Sequence, residues 1–452
     1  MEALISAYDS ASGSSDGGDN EEDASEETSA DAKRQKFVGP LPATHSAPAL
    51  AAAVALLPSP SAPSVTSTEN VGEVKGRYVS KRERAAMAAA SIKNPAPAPA
   101  PAPPVASSSS EMETAALNAK LPPRIQHKLD YYARETSARN RWPKEQTIHL
   151  KGHTKAVVGV RWSPTHGALL ASAAMDHKVQ IWNVWNAPDQ QVARTLTCHS
   201  AALKDVQWSF DGTSVLSCGF DQTIQLSDIE SGSQLKVFLE NQFVNVVRFH
   251  PLQQQLFLAG GSKGTIKLWD LRTGKSVCEY SKALGQVMDL DFSPDGKRFV
   301  STSDIAKRNA SDKALVVWNF ETQIALSNQV YLEAYTCPSV RFHPYEASFV
   351  AQSNADYIAI FSSRPPFKLN KYKRFEGHQV AGYRIQCNFS PDGELLVTGS
   401  ADGCAYFYSY RSSKLMSKQQ AHDGVCSDVV YHPTLPSVVA TCGWDGVVSV
   451  FE

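Results

Sequence analysis

Lys151 to Asn183 reads KGHTKAVVGVRWSPTHGALLASAAMDHKVQIWN. It opens on Gly152-His153. A short alternating run follows and ends at Val160, Arg161 and Trp162, where Ser163-Pro164 stops it. The apolar run LLASAA (169–174), a turn at Met175 to Lys178 and a third run, VQIW (179–182), complete the stretch. Period-two apolar patterning marks strands, and the polar joints between them mark turns. The stretch is therefore three strands with tight connections, and it is one unit of a repeat that continues to the last residue.

The end of the first run recurs seven times: VRWSP (160–164), VQWSF (206–210), VRFHP (247–251), LDFSP (290–294), VRFHP (340–344), CNFSP (387–391) and VYHP (430–433). An apolar residue, any residue and an aromatic, usually followed by Ser-Pro or His-Pro, is a strand with its stop. Spread from Thr147 to Glu452, seven units take about 44 residues each, the period of a four-stranded propeller blade. The last unit ends on its third strand, VVSVF (447–451), while an orphan run, Thr147-Ile148-His149-Leu150, precedes the first Gly-His. Added to the last blade, that run would close the ring and leave no long edge unpaired. The expected fold is all-β: a seven-bladed β-propeller over residues 147–452.

The remainder differs in composition. The chain has 452 residues and a formal net charge of -1, so no global charge points to nucleic acid or an anionic membrane. Residues 1–120 are rich in Ala, Pro, Ser and acidic residues, and such a segment is expected to be disordered. Within it, an acidic block (16–31) precedes Lys33, Arg34 and Lys36, a candidate nuclear-import cluster. Ser80 and Glu83 have capping-box spacing, which predicts a short helix over 80–93. Residues 95–104 alternate Pro and Ala, an extended spacer. Residues 121–146 are expected to hold a short helix and a linker, with Ile125, Leu129 and Tyr132 on one face packed on the ring. No basic-then-apolar leader is visible. The most apolar run, ALAAAVALL (49–57), is under half of the roughly 20 residues a span needs. The expectation is a soluble intracellular chain with no membrane contact. Eight cysteines, from Cys198 to Cys442, include no C-x-x-C pair and read as small buried residues in a reducing compartment.

His153, Ser172, Asp176 and Trp182 form a set that returns at blade period. The second unit has His199, Ser217 and Asp221, with Ser227 for the Trp. The sixth has His378, Thr398, Asp402 and Tyr408, and the seventh has His422, Thr441, Asp445 and Phe451. One active site needs one triad. A repeated set is expected instead to tie a loop to the turn before the third strand, with Asp fixing the imidazole tautomer. Trp182 adds an N–H donor that Phe451 lacks, so the seventh network is expected to be weaker. Units three to five have no clear Gly-His, and Lys263 replaces the turn Asp of the third. The fourth carries SDIAKRNASD (303–312), expected as an exposed loop for a partner. GGSKGT (260–265) lacks P-loop spacing, and no HExxH or GxSxG occurs. No catalytic residue, metal set or cofactor is expected, and the chain reads as a non-enzyme.

Two surface features remain. Lys368, Lys371, Tyr372, Lys373 and Arg374, with Phe367 and Phe375, are basic and aromatic together. They are expected on the outer strand of the fifth blade, where Lys guards an edge; RNA contact is the alternative. Leu268 to Arg272 contains Trp269, Asp270 and Arg272. This resembles the WDxR box by which substrate receptors of cullin-type ubiquitin ligases dock on their adaptor, with Arg272 as anchor. Lys263 stands where that box prefers Asp.

The Gly-His openings and Trp-closed third runs resemble WD40 repeats. FKLNKYKRFEGHQVAGY (367–383), FSPDGELLVTGSADG (389–403), AHDGVCSDVVYHP (421–433) and ATCGWDG (440–446) resemble, more narrowly, the pre-mRNA-processing factor seventeen family of spliceosomal WD-repeat proteins. The fourth-unit insertion, VWNFETQIALSNQV (317–330) and TCPSVRFHP (336–344) look closer still to a WD-repeat relative of that factor. The resemblance covers the repeat region and no part of residues 1–120. It implies a nuclear, non-enzymatic scaffold, with a cytoplasmic pool left open. Its partners would be spliceosomal proteins around the second catalytic step, with RNA contact open and the propeller monomeric. The alternative function is the ubiquitin-ligase receptor.

Overall fold

The computed structural model describes residue 117 and residues 121–134, 139–280, 285–304, 315–329 and 335–452. The helix expected at 80–93, the acidic and Pro-Ala stretches and residues 305–312 of the fourth-unit insertion (303–312) lie outside the described residues.

Seven four-stranded antiparallel sheets follow one another along the chain. Blade 1 comprises Val157–Trp162, Leu169–Ala174, Val179–Asn183 and Val192–Leu196, from the innermost strand outward. The innermost strands of blades 2 to 7 are Leu203–Trp208, Val244–Phe249, Val287–Phe292, Ser339–Phe342, Cys387–Phe389 and Cys426–Tyr431. Each of the seven touches the one before and the one after, and Val157–Trp162 touches Cys426–Tyr431, so the innermost strands form a closed ring. Second strands such as LLASAA are buried at every position, because a neighbouring blade covers each face. Blades 1, 2, 3, 4 and 7 also share a bulge near the start of the innermost strand, between Val157 and Gly159 in blade 1 and between Asp289 and Val287 in blade 4. An extra residue there re-aims the next side chain, and in blades 2, 4 and 7 that side chain is an aspartate.

Closure is carried by the run before the first Gly-His. Gln146–Lys151 is the outer strand of blade 7 and pairs with Val447–Phe451, whose other edge pairs with Val439–Gly443. The register sets Ile148 opposite Val450 and Leu150 opposite Val448. Leu150 is fully buried with Val448, Val450, Leu170 and Trp182, in a core that blades 1 and 7 share. Burying one leucine contributes about 1.5–3 kcal/mol. The helix Pro123–Arg134 packs Leu129 and Tyr132 onto this core and buries Ile125. All eight cysteines are free thiols, six of them buried. Burial pushes the Cys337 and Cys387 thiols up to about 12, which keeps them neutral and apolar.

Candidate functional site

Three of the four repeated sets assemble in one geometry. In blade 1, Asp176 accepts from His153 Nδ1 at 2.9 Å, so Nε2 is the acceptor for the Ser172 hydroxyl at 2.7 Å. Trp182 Nε1 donates to the same oxygen at 2.8 Å. The chain Trp–Ser–His–Asp thus leaves no buried group on it unpaired. Asp176 also accepts the backbone N–H groups of Thr154 and Lys178 and so ties the Gly-His loop to the turn. Burial pushes its carboxyl up, but the His153 bond and these donors prevail and hold it below the usual range. Blade 2 repeats the arrangement with His199, Asp221 (2.7 Å) and Ser217 (2.7 Å), where Ser227 meets Cys198 Sγ at 3.7 Å. Blade 7 repeats it with His422, Asp445 (3.0 Å) and Thr441 (2.8 Å), and Phe451 adds no donor.

The sixth set does not assemble. His378 Nδ1 meets the Tyr408 hydroxyl at 3.0 Å, and that hydroxyl donates to the Glu376 carbonyl. Thr398 donates to Gln352 Oε1 of blade 5 at 3.0 Å. Asp402 is drawn away by the Tyr406 hydroxyl (2.7 Å) and Lys418 Nζ (2.8 Å). The physical reason is competition: a cation and a phenol beside Asp402 outbid a neutral imidazole. Units three and four replace the motif. Glu240 accepts from Trp269 Nε1 (2.9 Å) and pairs with Lys267 (2.7 Å), and Gln242 accepts Lys263 N and donates to Thr265. In blade 4, Trp318 Nε1 donates to Ser301 at 2.8 Å.

A second constellation was absent from the sequence reading: a ring of charges on the innermost strands. Going round the blades, it runs Arg161, Asp205, Arg248, Asp289, Arg341, Asn388, Asp428 and back to Arg161. Arg248 bridges Asp205 and Asp289, the latter at 2.9 Å; Arg341 pairs with Asp289, and Arg161 pairs with Asp428. Arg161 also lies 3.9 Å from Asp205. Strict alternation cannot close on an odd number of blades. Blade 6 resolves this with an amide: Asn388 Oδ1 accepts from Arg341 Nε at 3.1 Å, and Nδ2 donates to Asp428 at 3.2 Å. Gln386, two residues earlier, accepts from both Arg161 (2.8 Å) and Arg341 (2.6 Å). Burial pushes the Asp289 carboxyl up, yet Arg341 and Arg248 more than offset it and hold it at about 2.

The His-Pro stops form latches between blades. His432 Nδ1 accepts the backbone N–H groups of Thr434 and Leu435, and Nε2–H donates to the Gly167 carbonyl of blade 1 at 2.6 Å. His250 and His343 repeat the pattern onto Gly296 and Gly393 of the next blade. At the two receiving glycines a Cβ would stand 2.6 Å from the imidazole, and φ is +69° and +73°. The imidazole must be neutral, since protonated Nδ1 would face two N–H donors. Burial lowers all three, His432 to about 4, and His378 also falls to about 4. A base with a depressed folded pKa binds its proton more readily when unfolded. Its stabilisation is therefore complete above the unfolded value, about 6.5, and is lost as pH falls toward 4. Thermal melting followed from pH 7.5 to 4.5 should show a steep loss over that window, on the order of 3 kcal/mol for His432 alone. His432→Gln should start lower and fall less. Parallel curves would contradict the latch.

Lys368, Lys371, Tyr372, Lys373 and Arg374 lie on or beside Leu369–Glu376, the outer strand of blade 5. Tyr372 is 99% exposed; Lys373 reaches the Arg411 carbonyl, and Arg374 lies over the Tyr357 ring at 4.6 Å. In the WDxR-like box, Trp269 and Asp270 are buried and bonded within blade 3, while the Arg272 side chain is exposed and reaches Asp270 at 3.5 Å. Among the described residues, no group of three or more His, Cys, Asp or Glu is placed to hold a metal ion, and no helix is long and apolar enough to cross a membrane.

The WD domain, G-beta repeat model matches residues 144–183, 369–409 and 413–452. The chain carries WD40 repeats. A second model, Eukaryotic translation initiation factor eIF2A, matches residues 186–335. The WD40 chain is 39% identical to WD repeat-containing protein 25 of Mus musculus over 73% of its own length and 61% of that protein. It is 37% identical to Pre-mRNA-processing factor 17 of Homo sapiens over 69% of its length and 52% of that factor. The factor of the same name from Saccharomyces cerevisiae is 26% identical, with 69% and 67% covered. The chain thus spans between half and two thirds of these relatives, and it is homologous to them through the repeat region.

Proposed function

We propose that this WD40 ring is a nuclear, non-enzymatic scaffold that holds proteins of a pre-mRNA splicing assembly and acts as a monomer. The observation that carries the reading is the 37% identity to Pre-mRNA-processing factor 17 across the ring. The side chains support it. The His, Ser or Thr and Asp of blades 1, 2 and 7 are bonded to one another, so the residues that resemble triads hold loops. Scaffold function then rests on the exposed loops and edges. Lys368, Lys371 and Tyr372, exposed on blade 5, are where RNA contact would fall. The ubiquitin-ligase alternative has no support among the relatives, and only the arginine of its box is presented. Affinity purification of the full chain from nuclei should recover splicing proteins above an untagged control. A wholly cytoplasmic pool that brings down none would refute the reading.

A further inference from the structure

The innermost strands run from the loops of the Gly-His face to the strand stops, so the stops lie on the opposite face of the ring. There, a cavity of about 340 Å³ opens where the innermost strands of blades 1 to 4 end. Trp162, Trp208, Phe210, Phe249 and Phe292 line it, together with Asp291. The rings are held in place: Trp208 Nε1 donates to the Arg161 carbonyl at 2.9 Å, and Phe210 meets Phe249 edge-on at 6.2 Å. Phe210, Phe249 and Asp291 each keep part of their surface in solvent. Asp291 is the middle residue of the fourth strand stop and stands outside the charge ring. Its Oδ2 accepts the backbone N–H of Phe342 at 2.7 Å. Its Oδ1 has no hydrogen-bond partner among the described residues, and no described cation lies within 4 Å of the carboxylate. The two arginines that also line the cavity are committed elsewhere, Arg161 to Asp428 and Gln386, and Arg248 to Asp205 and Asp289. Burial lifts the Asp291 carboxyl above the usual range, and the charges of Arg341 and Arg248 offset only part of that. Asp205 and Asp289, paired directly with arginine, are held below it. The cavity therefore joins an aromatic wall to one carboxylate that lacks a cation.

We propose that this cavity receives a lysine side chain of a partner protein, with the ammonium on Asp291 and the carbon stem along the aromatic rings. The inference rests on the scaffold reading and names the chemistry of one of its contacts. Aromatic faces attract a cation, and the methylenes of lysine bury well against apolar surface while the charge stays at the tip. Lysine fits better than arginine. A guanidinium fork pairs with both oxygens of a carboxylate, and here Phe342 already holds one of them. RNA fits poorly: the arginines beside the cavity are neutralised within the ring, and the one unpaired charge is negative and repels phosphate.

The test is fluorescence anisotropy with the full chain and three labelled peptides that are otherwise uncharged: one with a single lysine, one with that lysine acetylated and one with arginine in its place. The lysine peptide should bind. The acetylated one should bind at least about tenfold more weakly, because acetylation keeps the stem and removes the charge. Asp291→Asn should remove most of that preference while melting stays cooperative. If that variant fails to fold, Phe210→Ala, on the half-exposed turn after the second strand stop, should weaken the lysine peptide about threefold. Equal binding of the lysine and acetyl-lysine peptides would overturn the proposal. So would unchanged binding in the folded variants, tighter binding of the arginine peptide, or an oligouridine that displaces lysine peptide from an Asp291-dependent site. Purified peptide needs no splicing protein, so this result and the nuclear purification can fail independently.

Discussion

Asp289→Ala should be among the most damaging single substitutions in the ring. The carboxylate is fully buried and accepts from Arg248, Arg341 and the backbone N–H groups of Leu290 and Val340. Truncation leaves two buried guanidinium groups facing a void, and removing one partner of a buried pair costs on the order of 3–5 kcal/mol. That is a large share of the roughly 5–15 kcal/mol by which ordinary domains are stable. The odd-membered ring adds a sharper expectation at Asn388. Asn388→Asp sets a carboxylate against Asp428, and Asn388→Lys sets an ammonium against Arg341, so both signs of charge should destabilise. Arg272→Ala, at an exposed pair, should leave the midpoint almost unchanged. Urea denaturation of the four variants measures all of this. An Asp289→Ala midpoint close to that of Arg272→Ala would show that the axial charges are not coupled.

The outline of the fold was legible because it rests on one-dimensional pattern. Seven strand stops, a missing fourth strand at Phe451 and an orphan run at Thr147 together specify a closed ring, and Gln146–Lys151 fills the vacant edge. Spacing also identified the His, Ser or Thr and Asp of blades 1, 2 and 7, whose partners lie in the same unit. It failed at blade 6, because Asp402 chooses among groups by charge, and Lys418 comes from an outer strand whose register spacing does not reveal.

The charge ring was missed for a different reason. The middle residue of each strand stop looked arbitrary when units were compared one above another. Taken with the residue two places before it, that position gives Arg161, Arg248 and Arg341 in units one, three and five, and Asp205, Asp289 and Asp428 in units two, four and seven. The alternation was in the sequence. Its meaning required the seven strands to be set round an axis, where each unit's charge is neutralised by the next unit and not by its own. Asp291 was less accessible still, since the cavity it lines is shared by four blades.

The central claim is that one strand from the start of the ring closes it. Three chains test it: residues 121–452, residues 140–452 and residues 151–452. The second removes the helix Pro123–Arg134 and its packing of Ile125, Leu129 and Tyr132, but keeps the whole of Gln146–Lys151. The third removes all of that strand but Lys151. It forfeits the burial of Leu150 and the ladder to Val447–Phe451, and it leaves that strand as an open edge. Leucine burial with four or five ladder bonds is worth on the order of 5 kcal/mol. The two ends lie about 300 residues apart in the chain, so local contacts cannot replace the loss. Melting followed by circular dichroism, with light scattering for aggregation, should show residues 121–452 soluble and cooperative and residues 140–452 only slightly less stable. Residues 151–452 should melt about 10 °C or more lower, or aggregate. Equal melting and equal solubility of residues 140–452 and 151–452 would contradict the account.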